Sequence, residues 1–168
     1  SKKSSASGQA TGAATASHSK KAPLRKKTTF RFHADNSTKQ PGARQEHDDV
    51  YRTLTLHPDG TFTDYNEHLW DLFENWVTEG VSMVVYAGTY SVDASRRIQL
   101  CYTRIVSKVD DVVTGKESLA ADEPLAQPVT ISGTKHGTSL ALKPFNGAEP
   151  QTLVATKKPH KAYGGKYS

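Results

Sequence analysis

Polar and apolar residues alternate along several short segments of the chain, a pattern typical of half-buried β-strands. Residues 28–35 read TTFRFHAD, with apolar side chains at every second position from Phe30. Further strands are predicted at 50–56, 61–63, 81–92, 97–108, 128–133, 138–143 and 152–156. Pro58 and Gly60 in the sequence HPDG predict a tight hairpin between the strands at 50–56 and 61–63.

The segment 64–79 has a different period. Its apolar residues recur at helical spacing, at Tyr65, Leu69, Leu72, Phe73 and Trp76. Asp64 and Glu67 fit a capping box, and Gly80 would end the helix. The sequence therefore predicts one α-helix at about residues 64–79, inserted between two strands.

The order of these elements predicts the fold class. Successive hairpins without a long crossover favour an antiparallel meander, and about eight strands close well into a barrel. We therefore predict a mainly β fold, an antiparallel meander barrel over residues 28–156 with the one inserted helix. Residues 1–27 and 157–168 are poor in large apolar side chains, and we predict that they are disordered basic tails.

Charge is divided unevenly between the predicted tails and the predicted barrel. Residues 1–27 hold seven of the 22 basic residues and no acid, whereas all 17 acidic residues lie between residues 28 and 155. Basic segments of this kind bind nucleic acid or acidic protein surfaces, or serve only to keep a protein soluble. The residues predicted to bind an acidic partner are Lys20, Lys21, Arg25, Lys26, Lys27, Lys157, Lys158 and Lys161.

Three short motifs carry a family resemblance. Residues 54–62 read LTLHPDGTF, residues 88–92 read GTYSV, and residues 98–100 read IQL. Over about residues 50–155 this pattern resembles lipocalin-like domains of the calycin type. The resemblance implies a β-barrel, and its known members include carriers of small apolar ligands.

A barrel interior lined by aromatic residues would suit such a ligand. The residues predicted to line this cavity are Tyr65, Phe73, Trp76, Tyr86, Tyr90 and Tyr102. The same rings equally suit ordinary core packing, because barrels of this size are often filled by their own side chains.

The sequence contains no pattern that indicates catalysis or a cofactor. It has no nucleophile motif and no glycine-rich phosphate loop, and its single cysteine, Cys101, excludes a disulfide framework. His47, Asp48 and Asp49 are better explained as a solvated acidic loop than as a metal site. We therefore predict a non-enzyme without a metal or cofactor.

Two functions follow from these observations. The first is a non-catalytic binding module whose basic tails hold an acidic partner, either RNA or an acidic protein assembly. The alternative is an intracellular lipocalin-like carrier of a small apolar ligand. No apolar run is long enough to span a membrane, and no secretory signal is visible. We expect an intracellular and cytoplasmic protein, with a mitochondrial location left open.

Overall fold

A computed structural model describes residues 21–36, 38–39, 45–73, 77–112, 119–120 and 122–158. In these ranges the chain forms ten β-strands. They are β1 (Thr28–Asp35), β2 (Thr38–Lys39), β3 (Gln45–Leu56), β4 (Thr61–Phe73), β5 (Val77–Val92), β6 (Arg97–Val112), β7 (Leu119–Ala120), β8 (Glu123–His136), β9 (Ser139–Leu142) and β10 (Gln151–Ala155). Within the described residues there is no helix long and apolar enough to cross a membrane.

Eight of these strands form a closed antiparallel meander. Each of β1, β3, β4, β5, β6, β8, β9 and β10 pairs with the next in this order, and β10 returns to pair with β1. The two-residue strands β2 and β7 extend the sheet beside β3 and β6. The prediction of an antiparallel meander barrel of about eight strands is therefore confirmed.

The predicted helix at 64–79 is wrong, because β4 runs as far as Phe73 and β5 begins at Val77. Tyr65, Leu69 and Phe73 are four residues apart. A separation of four places residues on one face of a helix, but any even separation also places them on one face of a strand. This spacing therefore fits both structures.

Buried polar residues hide the strand alternation of β4. Asp64 points into the barrel with Phe62, while Glu67 lies with Tyr65 on the outer face, and all four are buried. A strand buried on both faces, with a carboxylate on each, gives no clean alternation of polar and apolar residues. Asp64 and Glu67, which would have capped a helix, thus lie on opposite faces of a strand.

Gly80 has a packing role instead of the predicted role at a helix end. It is the register partner of Trp70 on β4. A β-carbon at Gly80 would lie 2.1 Å from Cζ2 of the indole. Only glycine therefore lets the Trp70 ring lie across the neighbouring strand at this point.

Gly88 lies at an irregularity in the pairing of β5 with β6. The register between β5 and β6 shifts at two places, one of them between Ala87 and Gly88. A β-carbon at Gly88 would lie 1.8 Å from the carbonyl oxygen of Cys101 on β6. The close approach of the two backbones bends the sheet at the level of the core.

The apolar core has two parts, one on each face of the sheet. The larger part lies inside the barrel, and its fully buried members include Phe30, Leu54, Leu100, Leu140 and Leu153. The smaller part lies on the outer face of β4, β5 and β6 and consists of Tyr65, Met83, Val85 and Val109. The long strands are therefore buried on both faces along part of their length.

Candidate anion-binding surface

One end of the barrel is crossed by residues 21–27, which we call the strap. The same end holds the turns β3–β4, β5–β6 and β8–β9, and we call it the closed end. Ala22 exchanges two backbone hydrogen bonds with Val92 at the end of β5, of 3.0 and 2.9 Å. Leu24 packs against the core, and the chain then enters β1 at Thr28. The domain boundary expected at residue 28 therefore follows residues that already contact the barrel.

Tyr90 fastens the strap to the barrel. Its hydroxyl donates a hydrogen bond of 2.7 Å to the carbonyl oxygen of His57 in the β3–β4 turn. The same hydroxyl accepts a hydrogen bond of 3.0 Å from the backbone amide of Leu24. The Tyr90 amide also donates to the carbonyl of Gly60, at 2.9 Å. One side chain thus connects the strap, a turn and β5.

The two basic segments of the sequence meet at this closed end. The Thr156 amide, just after β10, donates a hydrogen bond of 2.8 Å to the carbonyl of Thr29 in β1. Phe30 and Ala155 are register partners one position further on. Arg25, Lys26 and Lys27 immediately before β1 therefore lie close to Lys157 and Lys158 immediately after β10.

The closed end as a whole is strongly basic. Nine basic residues lie there, and the acidic residues at this end are Asp59 and Asp93. The basic residues are Lys21, Arg25, Lys26, Lys27, Arg96, Arg97, Lys135, Lys157 and Lys158. All are exposed except Lys135, which is half-buried. In the described part of the chain none of the nine forms an ion pair. This concentration of unpaired positive charge attracts anions.

The two carboxylates at the closed end are occupied by their own turns. Asp59 accepts hydrogen bonds from the hydroxyl and the amide of Thr61, at 2.6 and 2.9 Å. Asp93 accepts them from the hydroxyl of Ser95, at 2.7 Å, and from the amide of Arg97, at 3.0 Å. These hydrogen bonds lower the pKa of both carboxyl groups. Both acids therefore hold their turns as charged carboxylates, and the nine basic residues outnumber them, so this end keeps a net positive charge.

The opposite end of the barrel is acidic. The acidic residues that stand there, at the other ends of the strands, are Asp35, Glu46, Asp48, Asp49, Asp71, Glu79, Asp110, Asp111, Asp122, Glu123 and Glu149. The basic residues described at this end are Lys39, Arg104, Lys108 and Lys143, of which Arg104 pairs with Asp122. The fold therefore separates positive from negative charge along the barrel axis, which the sequence order alone did not reveal.

A charged network lies at the centre of the barrel. The Arg52 guanidinium donates to both carboxylate oxygens of Asp64, at 2.9 and 2.7 Å. It also donates to the Leu142 carbonyl, the Gln151 side chain and the Tyr102 hydroxyl. The Tyr102 hydroxyl donates to Asp64 at 2.5 Å. Five bonds satisfy all five N–H groups of Arg52, so this network joins strands and offers no free donor from Arg52 to a ligand.

The pKa values of this network reflect its burial. Burial alone lowers the pKa of Arg52, but the charge and hydrogen bonds of Asp64 more than offset it, so that the pKa is raised. Burial, followed by the negative charge of Asp64, raises the pKa of the Tyr102 hydroxyl. At neutral pH the network therefore holds one ion pair and a neutral tyrosine.

The six residues predicted to line a ligand cavity do not converge on one space in the described structure. Tyr86, Tyr90 and Tyr102 belong to the barrel core, while Tyr65 belongs to the cluster on the outer face. Phe73 is the last residue of β4, and the structure describes its backbone alone. Trp76 lies outside the described residues.

Phe145 fills the space beside the core tyrosines, and sequence reasoning missed it. This residue lies in the β9–β10 loop, and its ring stacks on Tyr86 with centroids 4.4 Å apart. The same ring meets Tyr102 edge to face at 5.2 Å. A loop aromatic flanked by Pro144 and Gly147 gives no periodic signal, so only the fold brings it to the barrel.

Six of the eight predicted partner-binding residues lie in the described structure, and all six are exposed at the closed end. They are Lys21, Arg25, Lys26, Lys27, Lys157 and Lys158; Lys20 and Lys161 lie outside the described residues. Lys21 donates a hydrogen bond of 3.0 Å to the side chain of Gln99. Arg96, Arg97 and Lys135 were missed, because they lie in the body of the sequence, far from the two basic segments.

Comparison of the chain with protein-family models, curated proteins and solved structures finds no match. What defines the molecule is therefore its fold, a closed eight-stranded antiparallel barrel, together with the basic closed end. The barrel is compatible with the lipocalin-like resemblance of its sequence.

Proposed function

We propose that this protein is a non-catalytic binding module, a lipocalin-like barrel whose basic closed end holds an acidic partner inside the cell. The partner is RNA or an acidic protein assembly. One observation carries the proposal: the hydrogen bond of 2.8 Å between the Thr156 amide and the Thr29 carbonyl. It brings the roots of both basic segments to one surface.

Charge geometry supports this proposal over a merely solubilising role. Two solubilising tails would not need to leave the barrel at the same place. Here, however, Arg25, Lys26 and Lys27 lie beside Lys157 and Lys158. Arg96 in the β5–β6 turn and Arg97 at the start of β6 add to the same surface. Because like charges repel, gathering them on one surface costs stability unless an anion binds there.

Packing among the described core residues weighs against the alternative of a small-ligand carrier. Phe145 packs on Tyr86 and Tyr102 in the barrel, and Arg52 and Asp64 satisfy each other beneath them. No described contact favours an apolar ligand in their place.

Paired charge reversals test the proposal. The variant Lys26→Glu/Lys157→Glu changes two exposed lysines at the closed end. The matched control, Lys108→Glu/Lys143→Glu, changes two exposed lysines toward the acidic end, with the same change in net charge. Each protein is titrated with fluorescent poly(U) and with poly-glutamate at about 0.1 M salt.

The proposal predicts that the closed-end variant loses at least about tenfold in affinity, while the control stays within about twofold. Preference for one polymer then identifies the class of partner. Equal losses in both variants would mean that net charge alone drives the binding, and the proposal would fail.

A further inference from the structure

The barrel is incompletely paired at the seam between β1 and β10. Both strands are described along their whole length. β1 pairs with β3 at all eight residues from Thr28 to Asp35. Its register with β10 comprises two pairs, Phe30 with Ala155 and Arg31 with Val154. We use the term seam for the region beyond these pairs, where His33 faces Thr152.

The register shows which backbone groups face the seam. The Thr29 carbonyl accepts a hydrogen bond from the Thr156 amide, so the backbone N–H and C=O groups of Thr29 point towards β10. Because backbone groups alternate along a strand, Arg31 and His33 point the same way. The Ala155 amide bonds to Thr138 on the β9 side, so Thr152 points towards β1. His33 and Thr152 would form the next hydrogen-bonded pair, yet the pairing ends before them.

A surface groove of about 410 Å³ lies over the seam. Arg31, His33, Thr152 and Val154 are among the residues that line it. Val154 is 47% exposed and is the large apolar side chain that stands out to solvent in the described part of the chain. The His33 ring is drawn towards β3, where it stacks on Tyr51 at 4.3 Å.

We propose that the seam binds an extended acidic peptide segment of a partner protein as an added β-strand. This deepens the proposed function, on which it rests, by naming the acidic partner as a protein. A peptide backbone matches the N–H and C=O groups of a strand edge, whereas RNA carries no such repeat. Val154 supplies an apolar contact for alternate side chains.

Charge complementarity sets the sign of the peptide. Arg31 is exposed at the groove, and Lys157 and Lys158 follow β10 further towards the closed end, past the residues that pair with β1. The residues that line the groove with Arg31 carry no carboxylate. The carboxylate of Asp49 on β3 is bound by His33, with 2.9 Å between Nε2 and Oδ1. A segment with glutamates at the Arg31 end therefore fits this edge.

The test uses the full chain, labelled with ¹⁵N, and a defined peptide of eight alternating Glu and Val residues. We expect hydrogen exchange of the His33 and Thr152 amides to slow at least tenfold when the peptide is bound. A second peptide carries methyl groups on alternate backbone nitrogens. It keeps every side chain but loses the peptide N–H groups that would donate hydrogen bonds to the seam. It should bind at least tenfold more weakly.

Three protein variants separate the seam from general charge. Val154→Glu places a negative charge in the groove and should weaken peptide binding at least tenfold. Thr89→Glu adds the same charge at an exposed position on β5, across the barrel, and should leave binding nearly unchanged. Thr152→Pro removes one N–H that faces the seam and none that faces β9, and should also weaken binding.

The outcomes distinguish this inference from the function on which it rests. Peptide binding that leaves the His33 and Thr152 amides unperturbed, but is lost in Lys26→Glu/Lys157→Glu, overturns the seam and keeps the proposed function. Binding of poly(U) alone overturns the seam and assigns the partner to nucleic acid. Protected amides with unchanged affinity in Lys26→Glu/Lys157→Glu support the seam and contradict the basic end as the principal binding surface.

Discussion

Arg52 and Asp64 form a bidentate ion pair across β3 and β4, and both side chains have no exposed surface. The pair replaces apolar packing at the centre of the barrel. Its partners, the Leu142 carbonyl before the β9–β10 loop and the Gln151 side chain at the start of β10, lie across the barrel. The short strands β9 and β10 are thereby tied to the long strands β3 and β4.

Removal of one partner from this pair should destabilise the fold strongly. Asp64→Asn keeps the side-chain shape but leaves the Arg52 charge without its counter-ion, and we expect a loss of about 3–5 kcal/mol in the free energy of unfolding. The matched control is Arg104→Met in the exposed Arg104–Asp122 pair, where we expect less than about 1 kcal/mol. Urea denaturation measures both; similar losses would show that burial does not govern the pair.

Loss of the Tyr90 hydroxyl should release the strap. Tyr90→Phe removes the acceptor for the Leu24 amide and the donor to the His57 carbonyl. We expect about 1–3 kcal/mol of destabilisation, because two partly buried backbone groups lose their partner. Hydrogen exchange at the Leu24 and Ala22 amides should accelerate more than exchange at the amides in the middle of β5. Unchanged exchange at Leu24 would mean that Tyr90 does not hold the strap.

Two glycine substitutions should differ in cost. Gly88→Ala places a β-carbon 1.8 Å from the Cys101 carbonyl, so β5 and β6 must move apart at the bulge. Gly137→Ala meets no atom within 4 Å and carries only the strain of its φ of 60°. We expect about 1–2 kcal/mol for Gly137→Ala and a clearly larger loss, or failure to fold, for Gly88→Ala. Equal thermal stability of the two variants would contradict the close approach.

The buried tyrosines should delay alkaline titration. Burial, and then the charge of Asp64, raises the pKa of Tyr102 and of Tyr86 above the ordinary value of 10.0. The neutral form is favoured in the folded state, so this contribution to stability is complete below pH 10. It is lost as the pH rises further.

Absorbance at 295 nm, recorded together with far-UV circular dichroism, measures this effect. Part of the tyrosinate signal should appear only with the unfolding transition, and that part should be smaller in Tyr102→Phe. Ionisation of all seven tyrosines near pH 10 in a folded protein would be inconsistent with the buried network.

The meander could be predicted from the sequence because hairpin turns and apolar alternation are local signals. The bounds predicted for the first strand, 28–35, are those of β1. The helix prediction failed at β4 because Tyr65 and Leu69 fit both periods, and because Asp64 is buried against Arg52, a partner twelve residues away. No local pattern announces a buried ion pair.

The candidate site was predictable only in part, for a related reason. The basic tails stand out in composition, so Lys26 and Lys157 were identified. Their proximity depends on closure of β1 against β10, and the contribution of Arg96 depends on strand direction. Both are long-range consequences of the barrel.

The salt dependence of binding tests the basic closed end most directly. Affinity of the full chain for the anionic polymer it binds best is measured between about 50 and 200 mM salt, and log K is plotted against log salt. The neutralising variant Lys26→Gln/Lys157→Gln should lower the slope by about 1.4 for single-stranded RNA, while Lys108→Gln/Lys143→Gln should leave it unchanged. The same slope in both variants and in the wild-type protein would contradict the closed end as the binding surface.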